Sequence, residues 1–264
     1  MRNLRFAYHM QLTFELPAFH HHFTVRCEPA TDERQHILTE EITIYPKHFD
    51  SRQVDSFGNH CIYGIANDAH NYFAVDVSGE AKVENTPRVP ALPSHRIGMF
   101  RYASELTKAG KKVTELLEAA SFSSDWGMLS AVSKATACMN CLYDSYRYEP
   151  GVTGIDTTAE NALELGVGVC QDYAHILLAL CRAESIPCRY IVGMMMGEGA
   201  SHAWIEVYED GFWTGLDPTH NRLIDDNYIK ISCGRDAKDC QINQGVFAGG
   251  GKQKQEIRVS VREA

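Results

Sequence analysis

The chain has 264 residues, 44% of them hydrophobic and 22% charged, and carries a formal net charge of −9. That length suits one large domain or two modest ones with a real core, in a composition ordinary for soluble globular proteins. The acidic balance, with no basic cluster longer than Gly110-Lys111-Lys112, argues against nucleic-acid binding, which needs a basic face.

The opening MRNLRFAYHMQLTFELPAF alternates polar and apolar side chains and lacks the continuous apolar run of a secretory signal. No stretch approaches the roughly 18 apolar residues of a membrane span, so no membrane partner is expected. Nine cysteines, an odd number without framework spacing, read as reduced thiols of a cytoplasmic protein.

From residue 4 to about residue 85 the pattern is strand-like. LRFAYHMQLTFEL, HFTVRCEP, HILTEEITIYP, NHCIYGIA and NYFAVDVSGEAKVE alternate with period two, and ATDE, DSFGN and ANDAHN separate them as turns. Residues 1–86 are therefore expected to form a β-sandwich-like N-terminal domain that folds as a unit. ENTPRVPALPS, residues 84–94, holds three prolines and reads as a linker to a second domain, 87–264.

The period then changes. Ser124 is a plausible N-cap for a helix from Asp125 to about Tyr146, with Trp126, Leu129, Val132, Met139, Leu142 and Tyr146 on its apolar stripe. Cys170 opens the next helix, which carries Ile176, Leu177, Leu180 and Cys181 and stops before Pro187. CRYIVGMMM, SHAWIEVYE and GFWTGLDPT follow as strands. Helices first and strands afterwards make the second part α+β.

GVGVCQDYAH places Cys170 after two glycines and at a helix start. Unpaired amides and the macrodipole there favour a thiolate, and the same amides can receive an oxyanion. His202 sits at the entry to one strand and Asp217 at the end of the next. A turn near Glu209, Asp210 and Gly211 would set the two side by side. A thiol, an imidazole and a carboxylate in that order supply a nucleophile, a base and a group that orients the base.

GVGVCQDYAH, SHAWIEVY and GLDPTH, with 32 residues from Cys170 to His202 and 15 more to Asp217, resemble the bacterial transglutaminase-like family of papain-like cysteine enzymes. CGRDAKDCQINQGVFAGGG is similar to that family's C-terminal segment, although AKDC stands where an aromatic-Asp-Asp run is usual. DSFGNHCIYG is similar to the β-rich domain that precedes the core. The resemblance implies a papain-like core with Cys170 as nucleophile, His202 as general base and acid, and Asp217 fixing the imidazole tautomer. It implies an amide hydrolase acting on a peptide or protein substrate through a thioester, with no metal or cofactor. Acyl transfer to an amine, and a non-catalytic peptide-binding module on the same fold, are the alternatives.

Other motifs have simpler readings. Cys138 and Cys141 form a CxxC inside a helical pattern without a second pair, which favours packing over zinc. His20, His21 and His22 are expected on a solvated strand surface. Met194, Met195 and Met196 are expected to fill core gaps or line a cleft. Trp204 shares a strand face with His202 and could wall the cleft. Tyr148 is a further cleft candidate, and GGGKQK at 249–254 is a loop.

Overall fold

The computed structural model describes residues 1–91 and 95–264, with the backbone alone for His95 and Arg96. The chain begins with β1 (Arg2–Val25), β2 (Gln35–Tyr45), β3 (Phe49–Val54), β4 (His60–Ala66), β5 (His70–Val83) and the short β6 (Arg88–Pro90). After 3-10 turns at His95–Arg101 and Glu105–Thr107 come α1 (Lys111–Ala120), α2 (Ala131–Ser145), β7 (Arg147–Tyr148), α3 (Ala159–Leu165), β8 (Val167–Gly168) and α4 (Cys170–Ala183). The remainder is β9 (Cys188–Met195), β10 (Gly197–Gly199), β11 (His202–Glu209), β12 (Phe212–Asp217), β13 (Arg222–Leu223), β14 (Tyr228–Gly234), β15 (Asn243–Gly249) and β16 (Gln253–Glu263). The class is α+β, as the period change implied.

β1 organises an eight-stranded antiparallel sheet. Leu4, Phe6, Tyr8, Met10, Leu12 and Phe14 are all buried, the period-two face that the sequence shows. Pairing to β5 breaks register between Thr13 and Ala18, and pairing to β15 breaks between Phe19 and His22. These irregularities let the first half of β1 pair with β5 and β16 and the second half with β4 and β15, so the sheet curls. The sandwich-like unit is this one curled sheet.

A second sheet runs β13-β12-β11-β9-β14, with β6 beside β12. α2 and α4 pack on it through Leu142, Ile176, Leu177, Leu180, Ile205 and Leu216, all fully buried. Burial of that many apolar side chains, at about 25 cal/mol per Å² of apolar surface, fixes α4 against β11.

The strands do not divide at residue 86. β15 and β16, from the far end of the chain, pair with β1, and β10 extends the same sheet through β16. The core under the first sheet also takes Met194, Ile229, Ile231, Val259 and Val261. The first 85 residues therefore share strands and core with the last 22. The physical reason is that β1 offers an unfilled edge, and the alternating Ile257, Val259 and Val261 of β16 suit it. Part of the expected linker is also a strand: Val89 is buried where β6 pairs with Trp213. Leu92, Pro93 and Ser94 of that linker lie outside the described residues.

The expected helix from Asp125 starts later. Trp126–Met128 is a single 3-10 turn, and α2 begins at Ala131, where Ser130 Oγ accepts the Ser133 N–H at 3.2 Å. α1 and α3 went unread in the sequence. They are linked to each other: Glu160 of α3 accepts amides of Gly110, Lys112 and Val113 at the start of α1.

Candidate active site

Cys170 is the first residue of α4. The approach to it is built by glycines. Gly166 ends α3 in the left-handed region at φ 69°, and Gly168 pairs with Tyr148 across the parallel β7–β8 contact. A Cβ on Gly168 would stand 2.3 Å from the Tyr146 hydroxyl and 2.5 Å from Asp172 Oδ2, so any larger residue would displace these side chains. Asp172 Oδ2 accepts the Val169 N–H at 2.8 Å and the Thr153 hydroxyl at 2.7 Å, which pins the turn. The first amides of the helix have no intrahelical acceptor and form the donor set at the sulfur's level.

β11 and β12 join through Asp210 and Gly211, both at positive φ, the two-residue turn of a tight hairpin. Register places Ile205 opposite Leu216; one step further, Asp217 stands opposite Trp204 and diagonal to His202 on the same face. His202 Nε2 lies 2.7 Å from Asp217 Oδ2. The other partner of the imidazole is the Cys170 thiol, contributed by α4. Asp217 is fully buried and His202 nearly so, while Cys170 is half-buried. Cys170, His202 and Asp217 thus come together from three elements, in the order the motifs suggested.

Residues 121–218 match the transglutaminase-like superfamily, and residues 4–82 match the bacterial transglutaminase-like N-terminal region. The chain belongs to the transglutaminase-like superfamily. An uncharacterised protein of Mycobacterium leprae is 36% identical over 124 residues, which cover 43% of this chain and 44% of that one, so the match spans under half of that relative. An uncharacterised protein of Mycobacterium tuberculosis is 26% identical over 250 residues, covering 83% of this chain and 79% of that one. A protein-glutamine gamma-glutamyltransferase of Pseudomonas aeruginosa is 28% identical over 89 residues, 29% of this chain and 13% of that one. The fold is also that of a solved structure from Cytophaga hutchinsonii described as a proposed cysteine protease, with TM-score 0.78, 23% identity, and coverage of 99% of this chain and 90% of that one. The core is accordingly transglutaminase-like, in the fold shared with that structure.

The charge state of the transglutaminase-like site follows from its hydrogen bonds. Burial alone would pull the His202 pKa down, but the hydrogen bonds with Asp217 and Cys170 outweigh it and raise the value to about 10. Burial likewise works against an Asp217 carboxylate, yet His202 and His220 hold it well below the usual carboxylate range. At neutral pH the pair is imidazolium and carboxylate. An imidazolium beside a sulfur is the setting in which a thiolate forms.

Two residues at the site were missed in the sequence. Asp217 Oδ2 also takes the His220 Nδ1 at 2.8 Å and the Tyr228 hydroxyl at 2.8 Å, while Oδ1 accepts the amides of Thr219 at 2.9 Å and His220 at 3.3 Å. Asp-Pro-Thr-His is an Asp-led turn in which the carboxylate collects the amides two and three positions on, so His220 was recoverable from GLDPTH. Tyr228 carried no local signal, since it arrives from β14.

The catalytic-motif neighbours sort differently from expectation. Trp204 is fully buried with its ring stacked at 6.3 Å from His202, so it backs the imidazole rather than walling the cleft. Tyr148, Met195 and Met196 do line a cavity of about 390 Å³ beside Cys170, together with Glu198. Met194 is in the core. Cys138 lies on the buried face of α2, and burial pushes its thiol up to about 12. His20 and His22 are exposed, but His21 is buried against His70, with Nδ1 3.2 Å from its Nε2. Gly249, Gly250 and Gly251 all have positive φ and turn β15 into β16.

Among the described residues, His202, Asp217 and His220 are one group whose donor atoms fall within 4.8 Å of one another. Both ring nitrogens already bond the same carboxylate oxygen, so the trio is accounted for as a proton-sharing cluster.

Proposed function

We propose that this enzyme is a cysteine-dependent amide hydrolase, a peptidase acting on peptide or isopeptide bonds through a thioester on Cys170. The observation that carries the reading is that a half-buried helix-start thiol and His202, itself bonded to Asp217 at 2.7 Å, line the same open cavity. The Cys170 sulfur attacks the carbonyl carbon, and the helix-start amides take the oxyanion. His202 gives its proton to the leaving amine. In the second half, neutral His202 removes a proton from water, which attacks the thioester and releases the acid and the thiolate. Asp217 holds the imidazole in the required tautomer.

Hydrolysis is favoured over transfer because the cavity is open to solvent. Tyr148 is 55% exposed on its rim, and transfer to an amine requires exclusion of competing water. The match to the Pseudomonas aeruginosa gamma-glutamyltransferase supports transfer as the second reading. All nine cysteines are free thiols, which suits a reducing compartment such as the cytoplasm. The test is a peptide and glutamine-donor library in isotopically heavy water, with and without a primary amine, for the wild type and Cys170→Ala. Heavy oxygen in the acid product establishes hydrolysis; amine incorporation alone establishes transfer. No product from either protein would leave a binding module, and equal turnover by both would overturn Cys170 as the nucleophile.

A further inference from the structure

The placement of Asp217 is over-determined. Oδ1 is tied to two backbone amides and Oδ2 to the buried Tyr228 hydroxyl, so the carboxylate is held before either histidine ring is considered. The His220 ring adds a third donor to Oδ2, the oxygen that also holds His202. The two imidazoles lie 5.3 Å apart by ring centroids, tilted by 59°. The His220 side chain is 42% exposed and lines the same cavity as Cys170, whereas Asp217 is 0% exposed. A ring that is not needed to place the carboxylate, yet shares its charge, has a different effect.

We propose that His220 is a positioning residue that weakens the grip of Asp217 on the His202 proton by donating Nδ1–H to the shared Oδ2. This rests on the reading of Cys170, His202 and Asp217 as the catalytic set. A donor to a charged carboxylate disperses its negative charge, so less of it acts on the neighbouring imidazolium. The consequence is directional. Thioester hydrolysis needs neutral His202 as a base, and a base works best when its pKa is near the working pH. Burial opposes the His202 charge, and the Asp217 and Cys170 bonds raise its pKa to about 10; by drawing on the same carboxylate oxygen, His220 limits that rise. The other groups facing the pair are Tyr228 on β14, Tyr148 and Glu198 on the cavity wall, and Arg222, 5.9 Å from the Tyr228 ring. None of them is altered in the test below.

The experiment follows the rate of Cys170 carboxymethylation by iodoacetate against pH. This anionic probe reacts fastest with a thiolate beside an imidazolium, so the upper limb of the profile reports His202 losing its proton. His220→Ala and His220→Gln both lack a donor at the Nδ1 position and should move that limb upward by about half a pH unit or more. His220→Asn, whose amide nitrogen occupies the Nδ1 place, should leave it at the wild-type position. An unmoved limb in the Ala and Gln variants overturns the assignment, as does an Asn variant that moves with them. His202→Ala separates the two levels. If it abolishes the limb while the His220 variants do nothing, only the His220 role falls. If it leaves the wild-type profile intact, the catalytic set is wrong and takes the His220 role with it.

Discussion

His202 and Asp217 face each other at the open end of one hairpin, Nε2 to Oδ2 at 2.7 Å, which leaves Nδ1 for the sulfur of Cys170. The carboxylate fixes both ring orientation and tautomer. Asp217→Asn keeps the backbone bonds to Oδ1 but permits the wrong tautomer. It should lower turnover by on the order of a thousandfold or more while leaving the far-ultraviolet circular dichroism unchanged. Combined with Cys170→Ala it should cost no more than Cys170→Ala alone, because residues that act as a unit are strongly non-additive. Multiplying losses would show that the two act separately.

Acid stability should depend on His175. This residue of α4 is fully buried, and its Nε2 accepts the Ala237 N–H at 3.1 Å. Burial lowers its pKa to about 4, below the roughly 6.5 of an unfolded histidine. The unfolded chain therefore binds a proton that the folded chain refuses, and stability is lost as pH falls from about 6.5 toward about 4. His21 behaves alike, with burial and His70 lowering it to about 4. His175→Gln supplies an oxygen for the Ala237 amide without the titration. Urea unfolding at about pH 7 and about pH 4.5 should show a smaller loss in the variant, by on the order of 1–3 kcal/mol. Parallel losses in both proteins would refute this origin.

Activity should survive EDTA. Thiolate, imidazole and helix-start amides suffice for acyl transfer to water, and the His202, Asp217 and His220 atoms already satisfy one another. Loss on chelation, restored by zinc, would turn the same trio into a metal centre.

The three motif residues were legible because each sits at an element end with its own local signature. Cys170 follows two glycines, Gly166 at positive φ and Gly168 crowded by Tyr146 and Asp172, His202 opens a strand, and Asp217 precedes a proline. The Asp-Gly turn then fixes the hairpin register that joins the last two. What sequence could not show is non-local. Tyr228 reaches Asp217 from β14, and Trp204 is turned inward by the packing of Ile191 and Tyr228 around it. The largest departure is β16. Its alternating Ile257, Val259 and Val261 make a readable strand, yet nothing local says that its partner is β1, more than two hundred residues earlier. α1 was overlooked for a related reason: its N-terminus is capped not by its own neighbours but by Glu160 from α3.

The central claim is that Cys170 is the nucleophile, and peptide mapping after brief iodoacetamide treatment at about pH 6 tests it most directly. Seven of the nine thiols are buried, and Cys141 is the half-buried competitor. Burial and Asp144 raise the Cys141 pKa, whereas Cys170 has the His202 imidazolium beside it. The account predicts that Cys170 is alkylated first and that His202→Ala removes its advantage. First modification at Cys141, or at any buried thiol, would contradict it.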